Sequence, residues 1–485
     1  MKQSILLQLS AFVLALTGLS YCKPADPEPD TIVQRQDTLT INQVRGLNST
    51  PIPSSVRITD AGSEGIFELD QADLSSADNT GITLVTIKGH RYKRAFTGSA
   101  NLTWFGVKTS DVDIGPMLQT AVDATDDLFI PDGTYTQQTP VHLKSNLALR
   151  ANAGKTLITL NKSYVSLIGQ NDPSIPLTHV LIDGLAWNVT SRETGTFGTI
   201  YLDGPNVSDL TVQNCSSTDV AAKDSTNWFT LKIQAGKTAS NITVRNNTVQ
   251  AKRMACEIFN HDNFNTYAGT TILVSGNTFQ NCRFGLSLSG PLSKLSVDNN
   301  YVKNCSLFGI EIAGAAREVV ITNNRFEGIF DKFLEGSNDG GGNGTIIGGM
   351  VITGNSTVGL CQGGVQLYNG GAVTFSKNNF RMSGTLEIMH STAGGTFTEN
   401  VIESSSNKAI ICDNSPNNTF TGNTISNKAN SINQATFLSY GSKATNNKLT
   451  NNRIIQGTGG KPYDAILGGT VLASMNVDEA GNPIP

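Results

Sequence analysis

From about residue 244 onward the chain repeats one short pattern: an apolar residue, any residue, Asn or Gly, then Asn. It appears as Val244-Arg245-Asn246-Asn247, Val274-Ser275-Gly276-Asn277, Val297-Asp298-Asn299-Asn300 and Ile321-Thr322-Asn323-Asn324. It continues through Ile352-Thr353-Gly354-Asn355, Phe397-Thr398-Glu399-Asn400, Phe420-Thr421-Gly422-Asn423 and Leu449-Thr450-Asn451-Asn452. Phe375 to Asn379 reads as a variant with one extra residue, so successive final Asn residues lie 30, 23, 24, 31, 24, 21, 23 and 29 positions apart. Between these corners apolar residues alternate, as in Leu286 and Leu288, Ile310 and Ile312, Val365 and Leu367, Leu386 and Ile388. A period of two is the signature of a strand. Asn or Gly after a strand suits a turn that needs a left-handed residue.

A steady period of 21 to 24 residues with occasional insertions means stacked coils. Helical repeats of that length would space apolar residues three and four apart, and leucine-rich repeats would show Leu-x-x-Leu-x-Leu; neither is present. The pattern therefore predicts an all-β, right-handed parallel β-helix over residues 146–460, with inward Leu288, Ile312 and Leu367. Asn277, Asn300, Asn324 and Asn400 should line one corner, each satisfying the next by hydrogen bonds along the axis. Residues 461–485 read as a C-terminal tail.

Residues 60–145 read as an N-terminal entry and capping region. Ala61 to Asp70, Ser76 to Gly81, Arg91 to Phe96 and Trp104-Phe105-Gly106-Val107 follow one another, then a short helix over Met117–Val122 and a strand and turn over Leu128–Tyr135. This order resembles the entry region of the pectate-lyase-like β-helix superfamily, which includes phage tailspikes and bacterial surface depolymerases. The resemblance implies that the helix caps the apolar end of the solenoid and that Pro131-Asp132-Gly133-Thr134-Tyr135 begins the first coil. It also implies a polysaccharide as substrate or ligand. The Gly-Asp-Gly usual after Trp-Phe-Gly is replaced by Lys108-Thr109-Ser110-Asp111.

Composition narrows the partners. Charged residues make up 15% and the net charge is -4, which argues against nucleic acid, whose phosphates call for clustered Lys and Arg. The 48 Gly suit many tight turns. Residues 1–22 read as a lipoprotein signal: Lys2, an apolar run from Ile5 to Leu19, then Leu19-Ser20-Tyr21-Cys22, which resembles a bacterial lipobox with Cys22 as the lipidated residue. Tyr21 departs from the small residue preferred there. Residues 23–59 read as a tether, beginning with the Pro- and acid-rich Lys23–Asp30. The expected address is the outer membrane or cell surface, with membrane contact through the lipid alone. The other six Cys lie mostly inside repeats and read as small buried hydrophobes, with a disulfide framework as the alternative. The oligomeric state is left open.

Outward residues of stacked strands form ladders with a step of about 4.8 Å. Counting thirteen back from the repeat Asn gives one column, Ser287, Glu311, Gln366 and Glu387, and alternation adds Lys232, Glu257 and Asp203 to the same face. Glycoside hydrolysis needs an acid and a second carboxylate. Glu257 and Glu311, two coils apart with small Ser287 between them, suit an inverting pair. Glu257 is the preferred acid, its pKa raised by an apolar turn holding Phe264 and Tyr267. A uronide lyase would instead use Lys232 or Arg253 to neutralise a carboxylate, with His261 as base. Tyr368 and His390, beside Gln366 and Glu387, are candidates for stacking on a sugar ring. The calcium cluster and catalytic Arg of pectate lyases proper, and the Asp and Gly-His-Gly motifs of polygalacturonases, are not seen. No metal or cofactor is called for. The one calcium candidate, Ser337 to Gly344, reads first as an inserted turn. Two functions stay open: polysaccharide cleavage, hydrolase ahead of lyase, or a non-catalytic glycan-binding or structural β-helix.

Overall fold

A computed structural model describes residues 31–48, 50–191, 198–219, 226–261, 267–337, 349–368, 370–390 and 392–485. Lys2, Cys22, Lys23–Asp30, Phe264 and most of the Ser337–Gly344 turn lie outside the described residues.

Three parallel sheets run from Ala100 to Ser474, with 15, 13 and 13 strands among the described residues. Sheet 1 extends from Ala100–Asn101 to Val471–Ser474, sheet 2 from Gly133–Gln137 to Arg453–Gln456, and sheet 3 from Val141–His142 to Lys461–Ile466. Each full coil contributes one strand to each sheet and pairs with the coil before and the coil after, while Ala100–Asn101 and Val471–Ser474 add terminal strands to sheet 1 alone. The inward residues build one continuous core in which Leu288, Ile312 and Leu367 are buried. Stacking also orders the core's aromatic rings: Phe375, Phe397 and Phe420 succeed one another at 5.6 and 4.5 Å between centroids.

The corner after sheet 1 explains the repeat. Asn300 Nδ2 donates to Val274 O at 2.9 Å and to Asn324 Oδ1 at 2.9 Å, and its backbone N–H donates to that same Asn324 oxygen. The arrangement recurs from Asn247 through Asn277, Asn300, Asn324, Asn355, Asn378, Asn400, Asn423 and Asn452 to Asn476. No water reaches these amides, so each coil must supply the partner that the previous one needs. The residue before each Asn is left-handed, for example Asn246 at φ 56° and Gly354 at φ 68°. The ladder passes through Asn378, not Asn379. Lys377 takes the left-handed position at φ 55°, so that coil carries no extra residue.

The solenoid is longer than the repeat suggests at both ends. Its strands begin at Ala100 rather than near 146. In the early coils Leu185 and Cys215 occupy the corner, where their carbonyls accept from Ser216 and Thr248 as Asn247 O accepts from Thr278. An apolar corner packs equally well and leaves no Asn to mark the period. At the other end residues 461–485 are no simple tail: Lys461–Ile466 and Val471–Ser474 join sheets 3 and 1, and Asn476 ends the ladder.

The region ahead of the first coil also folds. Residues 32–58, expected as tether, form the strand Ile32–Leu39, the short helix Ile41–Arg45 capped by Thr40 and Gln43, and the strand Ile52–Ile58. With Gly65–Asp70, Thr83–Val85 and Arg91–Ala95 they make a five-stranded sheet around Val44, Val56, Phe67, Leu84 and Tyr92. Pro51, Pro53 and the Ser54-Ser55 pair break the alternation that would have announced these strands. The helix Gly115–Ala124, expected over Met117–Val122, packs Leu118, Ala121 and Val122 into the solenoid core at its N-terminal end, beside Val141–His142. Arg94 joins this sheet to the solenoid entry. Its guanidinium lies 4.6 Å from the Phe67 ring centre and 4.4 Å from that of Trp104, and donates to the carbonyls of Ser63, Glu64 and Gly81.

Candidate active site

The outer face of sheet 3 gathers most of the candidate residues. Its register sets Tyr201, Thr230, Glu257, Ser287, Glu311, Glu335, Gln366 and Glu387 in one column, one residue per coil. Two residues further along each strand runs a second column on the same face: Asp203, Lys232, Phe259, Ser289, Ala313, Ser337, Tyr368 and Met389. Strand alternation fixes both columns outward. The candidates Glu257, Ser287, Glu311, Gln366 and Glu387 therefore share one ladder, with Lys232 and Tyr368 beside it. Glu257 and Glu311 stand two coils apart, about 10 Å between backbones at a step of about 4.8 Å.

Glu257 lies in a recess of about 140 Å³ lined by Tyr201, Thr230, Lys232, Arg253 and Phe259. Ligand pockets for whole small molecules run about 300–1,000 Å³. This one admits a single functional group, and a longer ligand must lie across the open ladder. Asn227 Nδ2 donates to Glu257 Oε2 at 2.8 Å, and Thr230 Oγ1 approaches the same oxygen at 3.4 Å. Burial raises the Glu257 pKa above the ordinary carboxylate value, against the opposing pull of Arg253, the two hydrogen bonds and Lys232. Burial here comes with Tyr201 and Phe259 as walls. Tyr267, expected to supply it, stacks instead against the Arg317 guanidinium at 4.0 Å.

The neighbours of the recess are tied down. Tyr201 donates from its hydroxyl to Asp203 Oδ2 at 2.6 Å; burial, then that carboxylate, raises its phenol pKa. Lys232 Nζ lies 3.6 Å from Asp203 Oδ2, and Gln234 Nε2 donates to Asp203 Oδ1 at 2.6 Å. His261 is exposed and outside the recess lining. Its ring packs edge-on to Phe259 with centroids 5.4 Å apart.

Ser287 lies between the two carboxylates on the column. It is 1% exposed, so it offers no surface to a ligand, and its Oγ donates to Glu311 Oε2 at 2.5 Å. It orients the carboxylate of the next coil. Farther along, Lys332 Nζ donates to Glu387 Oε2 at 3.0 Å and Gln366 Nε2 donates to that oxygen at 3.1 Å. The Tyr368 and His390 rings lie 4.9 Å apart between centroids with their planes tilted by 60°, on the coils of Gln366 and Glu387.

Tyr201, Asn227, Phe259, Lys332 and Glu335 were not singled out from the sequence. Glu335 lies 24 residues after Glu311, the step that separates Ser287 from Glu311. The insertion after Ser337 breaks a count taken backward from Asn355, which hides it. Tyr201 precedes the first marked repeat and has no Asn to count from. Among the described residues no group of His, Cys, Asp and Glu is arranged to hold a metal ion, and no helix is long and apolar enough to cross a membrane.

A family model described as a right handed beta helix region matches residues 188–349 and 340–466. Among solved structures, the A-module of the mannuronan C-5 epimerase AlgE6 of Azotobacter vinelandii is 13% identical, with a TM-score of 0.44, covering 79% of this chain and 100% of that one. A tailspike of Acinetobacter baumannii phage AM24 is 15% identical with a TM-score of 0.38, and the match covers 89% of this chain but 65% of the tailspike. The surface adhesin PfbA of Streptococcus pneumoniae is 16% identical with a TM-score of 0.41, covering 79% and 90%.

Proposed function

We propose that this chain, which belongs to the right-handed β-helix family, binds and cleaves polysaccharide along the outer face of sheet 3. The observation that carries the reading is the Glu257 recess: a carboxyl group held toward its protonated form, two coils from a second carboxylate on the same column. A general acid that works near neutral pH needs a raised pKa. Glu257 would donate a proton to the leaving glycosidic oxygen. Glu311, oriented by Ser287, would activate the water. Their spacing of about 10 Å between backbones leaves room for that water, as an inverting pair of about 6.5–9.5 Å between carboxyls requires. Lys232, Gln366, Tyr368, Glu387 and His390 would hold the chain on either side, with the Tyr368–His390 pair offering a ring face.

A second reading has its own observation. Arg253 and Lys232 flank the same recess as the Tyr201 hydroxyl. Two cations can neutralise a uronate carboxylate, which is what elimination demands. The exposed position of His261 weakens it as base in that reading and leaves Tyr201 or Glu257 for the task. The proposal extends to export and lipid anchoring at Cys22, which would hold the solenoid where envelope or extracellular polysaccharide is met.

Binding is tested first. The purified chain is run by affinity electrophoresis against neutral and uronate-rich polysaccharides. Retardation by at least one, lost when Tyr368 and His390 are both changed to Ala, supports the cleft on sheet 3. Retardation that survives the double change places the cleft elsewhere.

A further inference from the structure

We propose that Cys282 and Cys305 form an intrachain disulfide that staples the two coils carrying Ser287 and Glu311. The residues occupy equivalent positions on consecutive coils. Cys282 lies between the strands Thr278–Gln280 and Phe284–Ser289, and Cys305 between Tyr301–Lys303 and Phe308–Ala313. Ser306 N–H donates to Cys282 O at 3.0 Å, which sets the two backbones directly one above the other. Their sulfurs are 3.3 Å apart and buried.

A disulfide needs sulfurs about 2.05 Å apart and Cα atoms about 4.4–6.8 Å apart. Adjacent coils supply a backbone spacing of about 4.8 Å, so closure asks for side-chain rotation and little backbone movement. The neighbouring thiols are placed differently. Cys361 lies on the coil after that of Ile329, which itself follows that of Cys305, so it lies about 10 Å from Cys305 by coil spacing.

Bond formation takes an oxidised disulfide such as glutathione disulfide. One thiolate attacks a sulfur of the oxidant, giving a mixed disulfide and releasing one glutathione thiol. The second thiolate then attacks the protein sulfur of that mixed disulfide. The Cys282–Cys305 bond forms and the second glutathione thiol leaves. Two electrons and two protons pass from the protein to the oxidant. The thiolate is the reactive form, and burial suppresses it. The bond therefore closes while the coils assemble, and the core afterwards shields it.

The test uses the full chain, unfolded and reduced, then refolded in a mixture of reduced and oxidised glutathione. After denaturation and alkylation, peptide mapping without reductant reads the linkage. The expected result is one cross-linked peptide pair containing Cys282 and Cys305, with Cys215, Cys256, Cys361 and Cys412 alkylated. Recovery of Cys282 and Cys305 as alkylated thiols in the refolded protein, or of either residue linked to a different cysteine, overturns the proposal. The outcome is independent of whether sheet 3 acts on polysaccharide.

Discussion

Ser287 Oγ donates to Glu311 Oε2 across one coil step, from a side chain that is itself shut off from solvent. A buried hydroxyl that aims a neighbouring carboxylate is the arrangement expected of a positioned reactive group rather than of a solvated surface Glu. If Glu311 is the base, Ser287→Ala lowers kcat by about 10- to 10²-fold, since a hydrogen bond to a charged group is worth about 1.5–3 kcal/mol. KM changes little. A fall confined to KM would assign Ser287 to ligand binding instead.

Glu257→Gln and Glu311→Gln each remove one proton-transfer group without changing shape. Each should lower kcat by about 10² to 10⁴ while circular dichroism stays that of the parent. Near-full activity in both variants would move the catalytic ladder away from these residues.

Glu257 also leaves a signature in stability. Its folded pKa is raised by burial, so the folded state holds its proton at pH values where the unfolded chain has lost it. The stabilisation is complete below the unfolded value of about 4.3 and is lost as pH rises through the folded pKa. Gln does not titrate. The Tm of Glu257→Gln relative to the parent should therefore rise from acid toward neutral pH and then level off. A difference that falls with pH would mean that Arg253 and Lys232 outweigh burial.

The Asn ladder makes a separate claim. Asn324→Ala removes the acceptor used by both the backbone N–H and the side chain of Asn300. It also takes the Asn324 side-chain donor away from Val297 O and from Asn355 Oδ1, the latter keeping the backbone N–H of residue 324. With buried groups costing about 1–3 kcal/mol each when unpaired, a loss of about 2–4 kcal/mol is expected. Denaturant titration reads it. A change below about 0.5 kcal/mol would show that neighbouring coils repair the corner.

Arg94 holds the N-terminal sheet to the solenoid entry through two aromatic faces and three carbonyls. Arg94→Lys keeps the charge but loses the planar fork. Limited proteolysis should cut this variant within residues 60–100 far sooner than the parent and leave the coils intact. Unchanged resistance would show that the sheet stays docked without Arg94.

The fold was legible because a parallel solenoid repeats its turn chemistry. Each buried corner amide needs the next, and that need writes Asn into the sequence once per coil. Where an apolar residue fills the corner, as Leu185 and Cys215 do, the coil exists without a mark. The same limit governs the site. Ser287, Glu311 and Glu387 sit at a constant offset from ladder residues and can be counted. Glu335 lies behind an insertion, and Tyr201 lies before the ladder begins. Which atoms a side chain reaches is not periodic at all. The sequence placed Ser287 between two carboxylates, but only the folded chain shows it buried and turned toward Glu311.

The most direct measurement follows two products at once. The purified chain is incubated with a panel of neutral and uronate-rich polysaccharides, and new reducing ends are counted beside the ultraviolet absorbance of unsaturated uronides. The proposed chemistry predicts reducing ends without that absorbance on at least one polysaccharide, and their loss in Glu257→Gln and Glu311→Gln. Absorbance rising together with reducing ends would assign the recess to elimination through Arg253 and Lys232. Neither product on any polysaccharide that the chain binds would contradict cleavage and leave a glycan-binding solenoid.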